Sequence, residues 1–146
     1  MDHAFNVVKA AIFIGEELLV YRRDDVAGLI WRNMWDFPGG GREGAEAPDE
    51  TLARELDEEF GLDLADAEIL WRRIYPARHD LAAFVWFMVA RLPAGHDRLI
   101  RFGEEGQEWR MMAVGEFLAL PDSVPHLGPQ LRDWIASGSD ASPAAS

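Results

Sequence analysis

Residues 38 to 62 constrain this chain more than any other segment. Pro38-Gly39-Gly40-Gly41 stops regular structure, because proline lacks a backbone N–H and glycine enters conformations closed to other residues. A helix is then predicted from Pro48 to Phe60. Proline suits the first helical position, and Asp49 and Glu50 suit the positive end of the helix dipole. Leu52, Leu56 and Phe60 recur every fourth residue and form one apolar stripe. Gly61 fits the left-handed residue that closes a helix, and Leu62 the apolar residue after it. Ala47 is a poor capping residue at the other end. The stripe has to be buried against another element.

The flanking sequence offers strands for that purpose. Val7 to Gly15 is apolar and β-branched, Glu16-Glu17 reads as a turn, and Leu18 to Arg22 as the returning strand. Asp24 to Asn33 reads as a loop, and Trp35-Asp36-Phe37 as a brief strand. Ala67 to Tyr75 and Leu81 to Leu92 are two further strands, joined around Pro76 to Asp80. The second is apolar on both faces, which predicts a central position covered on both sides. A polar loop, Gly95 to Gly106, precedes a short strand, Gln107 to Ala113. Val114 to Leu120 reads as a short helix and Gly128 to Ala136 as a final one, with Leu131, Trp134 and Ile135 facing inward. Trp71, Trp86, Trp109 and Trp134 are expected in the core, and His3 and His96 at the surface. Strands mixed with two or three helices predict an α/β or α+β sandwich. One domain is expected over residues 1–136, followed by a disordered Ser- and Ala-rich tail, 137–146.

The formal net charge of −12 opposes stable binding to nucleic acid or to an anionic membrane. A small charged ligand is still admissible, since a bound metal ion inverts the local field. The absence of cysteine rules out disulfides and thiolate chemistry. No basic region precedes an apolar stretch at the N-terminus, and Leu81 to Ala90 is about half the ~20 residues of a membrane span. A cytoplasmic protein, monomeric or homodimeric, is expected.

Glu55, Glu58 and Glu59 lie at i, i+3 and i+4, on one face of the predicted helix, with Arg54 four residues before Glu58. A solvated acidic face is one reading. Against it, Glu58 and Glu59 occupy the last turn, where the dipole is negative and acids cost roughly 0.3–1 kcal/mol each. A divalent cation would remove that cost. Oxygen donors without Cys or a His pair suit Mg²⁺, or Mn²⁺ in its place. The glycine turn lets backbone carbonyls approach the same spot.

Together these residues read Gly40, five residues, Glu46, seven residues, Arg54-Glu55-Leu56, one residue, Glu58-Glu59, one residue, Gly61-Leu62. This resembles the Nudix box without a gap or substitution, and Trp35 to Gly40 looks like the family's entry to it. The resemblance implies a Nudix-type α/β/α sandwich with a mixed sheet. It implies an enzyme that uses Mg²⁺ to hydrolyse a pyrophosphate linkage in a nucleoside diphosphate joined to another group. Glu58 and Glu59 would be the main metal ligands, with Glu55 as ligand or general base and the Gly39 carbonyl completing the sphere. Arg54 would hold a glutamate in place, and Glu46 would brace the loop and helix. Glu105, in Gly103 to Trp109, would be a further ligand or base, with Glu108 as the alternative.

The MutT-type members, which hydrolyse nucleoside triphosphates, are the nearest in character. By that likeness Arg23 would meet phosphate, and Tyr75, beside Arg78-His79, would stack on a base. A snorkelling arginine and a half-buried core tyrosine are the competing readings. Trp31 is another residue able to stack on a base. The base-reading asparagine of the MutT type has no clear counterpart, and His126 stands in that region. ADP-ribose, nucleoside diphosphate sugars and dinucleoside polyphosphates are alternative substrates. A non-catalytic nucleotide-sensing domain is the alternative function.

Overall fold

The computed structural model describes residues 5–77 and 83–138. His3, Arg78-His79, the first two residues of the predicted Leu81–Leu92 strand, and residues 139–146 lie outside that range. The elements in order are β1 (Phe5–Ile14), β2 (Glu17–Arg22), β3 (Trp35–Asp36), β4 (Gly39–Gly41), α1 (Pro48–Phe60), β5 (Glu68–Pro76), β6 (Phe84–Leu92), β7 (Glu108–Met112), α2 (Val114–Leu118) and α3 (Leu127–Ser137). Two 3₁₀ turns, Leu64–Asp66 and His96–Leu99, interrupt the connections, the second inside the segment expected to be plain loop.

The strands form one seven-stranded mixed sheet in the order β3-β2-β1-β6-β5, with β4 on β1 and β7 on β2. β1 and β6 run parallel from Phe5↔Phe84 to Ile14↔Leu92, and the remaining pairs are antiparallel. One edge of β1 is shared. Ile12 to Ile14 pair with β2, whereas Val7 to Lys9 pair with β4. The chain crosses between these partners at Asp36 to Pro38.

Alternation along the central strands sends side chains to two cores. Val8, Ala10, Ile12 and Ile14 of β1 and Met88, Ala90 and Leu92 of β6 meet Leu52, Leu56 and Phe60 of α1. Ala11, Phe13, Phe87 and Val89 meet Phe117, Leu127, Leu131 and Trp134 of α2 and α3. The α/β/α sandwich follows. Each fully buried large side chain of α1 contributes roughly 1.5–3 kcal/mol of burial. Ala47 makes no side-chain cap, but Glu50 accepts a bond from the Ala47 N–H at 2.8 Å.

Two expectations are corrected. Ile135 is 37% exposed. It sits about 100° around the helix from Trp134, off the stripe of Leu127, Leu131 and Trp134. Trp134 is buried, but Trp71, Trp86 and Trp109 are only partly covered and flank the two cores. β5 and β7 each pair with one strand, so Trp71 and Trp109 fall at the rim of the sheet. Among the described residues no helix is long and apolar enough to cross a membrane.

Candidate active site

The last turn of α1 leaves carbonyls that need donors. The Gly61 N–H satisfies Asp57 at 2.9 Å, with Gly61 at φ 66°. Two more donors come from a distant loop: Arg101 N–H to the Phe60 carbonyl at 2.9 Å and Gly103 N–H to that of Glu59 at 2.8 Å. A Cβ on Gly103 would lie 2.7 Å from the Glu58 carbonyl oxygen, so this approach requires glycine. The docking carries Glu104 and Glu105 to the acidic face of the helix. Glu55, Glu58, Glu59, Glu104 and Glu105 line one cavity of about 190 Å³. Glu108 is not among them; it begins β7 and pairs with Arg110 at 3.2 Å.

The glycine turn closes the other side. A Cβ on Gly39 would collide with the Val8 carbonyl oxygen, and one on Gly40 would lie 2.5 Å from the Glu55 carboxylate. The Gly39 N–H donates to Glu59 Oε1 at 3.3 Å. Arg54 ties turn, loop and helix together. Its Nη2 donates to the Gly41 carbonyl at 2.8 Å, its Nε to Glu46 Oε2 at 2.8 Å, and its Nη1 to Glu55 Oε1 at 2.8 Å and Glu58 Oε2 at 3.4 Å. Glu46 also accepts from the Glu43 N–H at 2.9 Å and the Thr51 hydroxyl at 3.0 Å. The hydrogen bonds from Arg54 and from the Glu43 N–H hold its carboxyl down at about 2.

The cluster is under-compensated. Burial pushes the Glu59 carboxyl up to about 8; the Lys9 charge opposes this, and Glu55 and Asp36 add to it. Glu55 is also raised by burial, and by the charges of Glu58 and Glu105, against the pull of Arg54. Among the described residues no three of these acids stand as a finished metal-binding group.

A second cavity, of about 240 Å³, is lined in part by the same glycine turn, at Gly40 and Gly41. Arg23, Trp31 and His126 are in its wall, together with Lys9, Asp36 and Gln130, and Gly40 and Gly41 form its floor toward the acids. The Trp31 ring meets His126 edge-on at 6.1 Å. Trp31 has φ 53°, uncommon for a bulky residue, so the loop holds the indole at a conformational cost. Arg23 donates to the Ile30 carbonyl at 3.1 Å and to Asp36 at 3.0 Å, which fastens that loop to the sheet. Tyr75 is not in the described lining. Its hydroxyl donates to Asp133 at 2.8 Å and its ring packs edge-on to Phe87 at 6.4 Å.

Three of the lining residues were not singled out in the sequence. Asp36 is buried and accepts from Lys9 Nζ at 2.9 Å, Tyr21 Oη at 3.2 Å, Arg23 and, at 2.7 Å, the Phe37 N–H. Burial alone would raise its pKa, but Lys9 and these bonds bring it below the ordinary value. Burial likewise lowers the Lys9 ammonium, but Asp36, Tyr21 and Glu59 leave it raised overall. The available signal for Lys9 was a single cation inside an apolar strand. For Gln130 it was an amide at i+3 within the stripe of Leu127, Leu131 and Trp134.

Residues 5–134 match the NUDIX domain family. The chain is 31% identical over 108 residues to the 8-oxo-dGTP diphosphatase of Haemophilus influenzae, covering 74% of this chain and 76% of that one. It is 51% identical over 44 residues to the RNA pyrophosphohydrolase of Alkalilimnicola ehrlichii, a match spanning 30% of this chain and 24% of that one. Its fold superposes on the crystal structure of a MutT protein from Methanosarcina mazei with a TM-score of 0.73 at 19% identity, covering 96% of this chain and 99% of that one. The chain belongs to the NUDIX domain family. Its class is that of a hydrolase acting on pyrophosphate bonds.

Proposed function

We propose that this protein is a Mg²⁺-dependent hydrolase of a nucleotide-like small molecule, cutting the pyrophosphate linkage of a nucleoside diphosphate joined to another group. A nucleoside triphosphate is the first substrate to test. The observation that carries this reading is Glu59, buried beside Glu55 in a cavity lined by five glutamates. The donor set fits a hard divalent ion, since every candidate ligand is an oxygen. Glu55, Glu58, Glu59 and Glu105, with the Gly39 carbonyl, would hold it, and Mn²⁺ would substitute. When bound, the ion neutralises phosphate charge and lowers the pKa of water.

The remaining work falls to the chain. Glu55, raised by burial and oriented by Arg54, would take the proton of the attacking water. Arg54 would keep the helix acids in register with the glycine turn. Arg23 would meet phosphate at the mouth of the second cavity, and Trp31 and His126 would flank the base. A nucleotide seated there would run its phosphates over Gly40 and Gly41 toward Glu55. The net charge of −12 favours such a small substrate over an RNA chain.

The test is release of phosphate or pyrophosphate from a panel of nucleoside triphosphates, ADP-ribose, nucleoside diphosphate sugars and dinucleoside polyphosphates. Turnover is expected in Mg²⁺ and none in EDTA, and Mg²⁺ should raise the melting temperature. Clear nucleotide binding without turnover of any member would replace this reading with a nucleotide-sensing domain.

A further inference from the structure

The loop from Asp24 to Asn33 holds Trp31 at the second cavity, yet the core does little to fix it. Val26 and Ile30 are 58% and 51% exposed, and Trp31 and Asn33 stand at φ 53° and 60°. Polar ties hold the loop instead. At its start the Arg23 guanidinium reaches Ile30 and Asp36. At its end stands Gln107, whose Nε2 donates to the Arg23 carbonyl at 2.8 Å and to Asn33 Oδ1 at 2.7 Å. One amide thus fastens both ends of the loop.

Gln107 belongs to the segment that carries Glu104 and Glu105 to the acids. Gly103 anchors one end of that segment on the last turn of α1. The other end is anchored on β2. A Cβ on Gly106 would lie 2.9 Å from the rings of both Tyr21 and Phe102, and the Gln107 N–H donates to the Arg22 carbonyl at 2.8 Å. Glu105 is two residues from Gln107, a reach of at most about 7.6 Å, too short to absorb a shift at either end. Both amide bonds of Gln107 are exposed, so water replaces them at little cost to stability. Water does not replace the link they make between two loops. We infer that Gln107 is a positioning residue that joins the Trp31 loop to the Glu105 segment, so that filling the acidic cavity orders the wall of the second one.

The inference rests on the proposed metal-dependent hydrolysis, and the measurements separate the two. Amide hydrogen exchange is followed in the nucleotide-free protein with and without Mn²⁺. In the wild type the ion should slow exchange at least about threefold in residues 103–107 and also in residues 24–33, which line no part of the acidic cavity. In Gln107→Met, of similar length but without a donor, the first protection should persist and the second should vanish. In turnover the same variant should lower kcat and raise KM, each about fivefold, because both cavities lose their alignment. Asn33→Gly keeps the positive φ open and removes the Oδ1 partner. Added to Gln107→Met, it should cost less than about a further twofold in kcat/KM, since the link is already broken. Should Gln107→Met fail to fold, Asn33→Gly alone breaks the link from the other side and is read by the same exchange. Residues 24–33 left unprotected in the wild type, protected equally in the variant, a loss confined to kcat or to KM, or fully additive losses in the double variant would each overturn the inference. If the wild type neither turns over any member of the panel nor responds to Mn²⁺, the proposed activity itself fails and the inference falls with it.

Discussion

Asp36 and Glu59 are both buried carboxylates that feel the charge of Lys9, yet they are matched to different degrees. Asp36 is matched inside the protein. Lys9, Arg23 and Tyr21 converge on it, and its pKa falls below the ordinary value in spite of burial. Glu59 accepts one weak backbone bond from Gly39 and has Glu55 beside it, and its carboxyl rises to about 8. The first is a completed structural unit that fastens the cavity wall to the sheet. The second, being buried, holds its proton to about 8 for want of enough positive charge around it. Two buried acids of one small domain thus differ in how completely the protein's own groups match them.

The largest expected effect comes from breaking the completed unit. Asp36→Ala leaves Lys9 buried without its counter-charge, and loss of one partner of a buried pair costs about 3–5 kcal/mol. Urea denaturation measures it. A loss below about 1 kcal/mol would show that Lys9 and Arg23 find other partners, and that the contrast with Glu59 is overstated.

The acidic side answers in rate rather than stability. Glu58 is largely exposed, at 58% of its side chain, so Glu58→Gln should leave the fold intact. Turnover in Mg²⁺ should fall at least ~100-fold, about 2.7 kcal/mol of transition-state stabilisation. Near-normal kcat in the variant removes Glu58 from the metal site. Trp31→Ala probes the other cavity. Loss of one stacking platform should raise KM about tenfold, roughly 1.4 kcal/mol, with kcat little changed. A fall in kcat with KM constant would place Trp31 in loop closure rather than base binding.

The two sides also differ in how much of them could be read from sequence. The helix Pro48–Phe60, its Gly61 terminator and its acidic face were legible because every signal is local, within one turn or one cap. The central position of β6 was legible because it is apolar on both faces. Glu104 and Glu105 reach the acids through main-chain bonds from Arg101 and Gly103, and only the family resemblance pointed to Glu105 in advance. The second cavity is assembled from β1, the loop before β3, β4, the segment around Val124 and α3. No local period joins those segments. Lys9 looked like an imperfection in an apolar pattern, and it gains meaning only once the split edge of β1 brings it to that cavity. The partner of the Tyr75 hydroxyl, Asp133, was likewise illegible, since it lies on the last helix.

The opening contrast is tested most directly through pH. Glu59 has its folded value raised to about 8 from an ordinary 4.5. Between those values the native protein holds a proton that the unfolded chain has released. The stability contributed by this group is therefore complete below about 4.5, falls as pH rises, and is gone above about 8. Asp36 is lowered from 3.8, so its contribution is present above that value and is lost as pH falls through the folded one. Glu59→Gln removes the first dependence and leaves the second. In EDTA at pH 9 the variant should melt clearly higher than the wild type, because a rise from 4.5 to about 8 is several kcal/mol by linkage, on the order of 1.4 kcal/mol per unit. At pH 4, where both side chains are neutral, the two should melt together. Mg²⁺ should reduce the difference at pH 9 by stabilising only the wild type. Equal shifts at both pH values would mean that Glu59 is as well matched inside the protein as Asp36, and the case for an external cation would lose its main support.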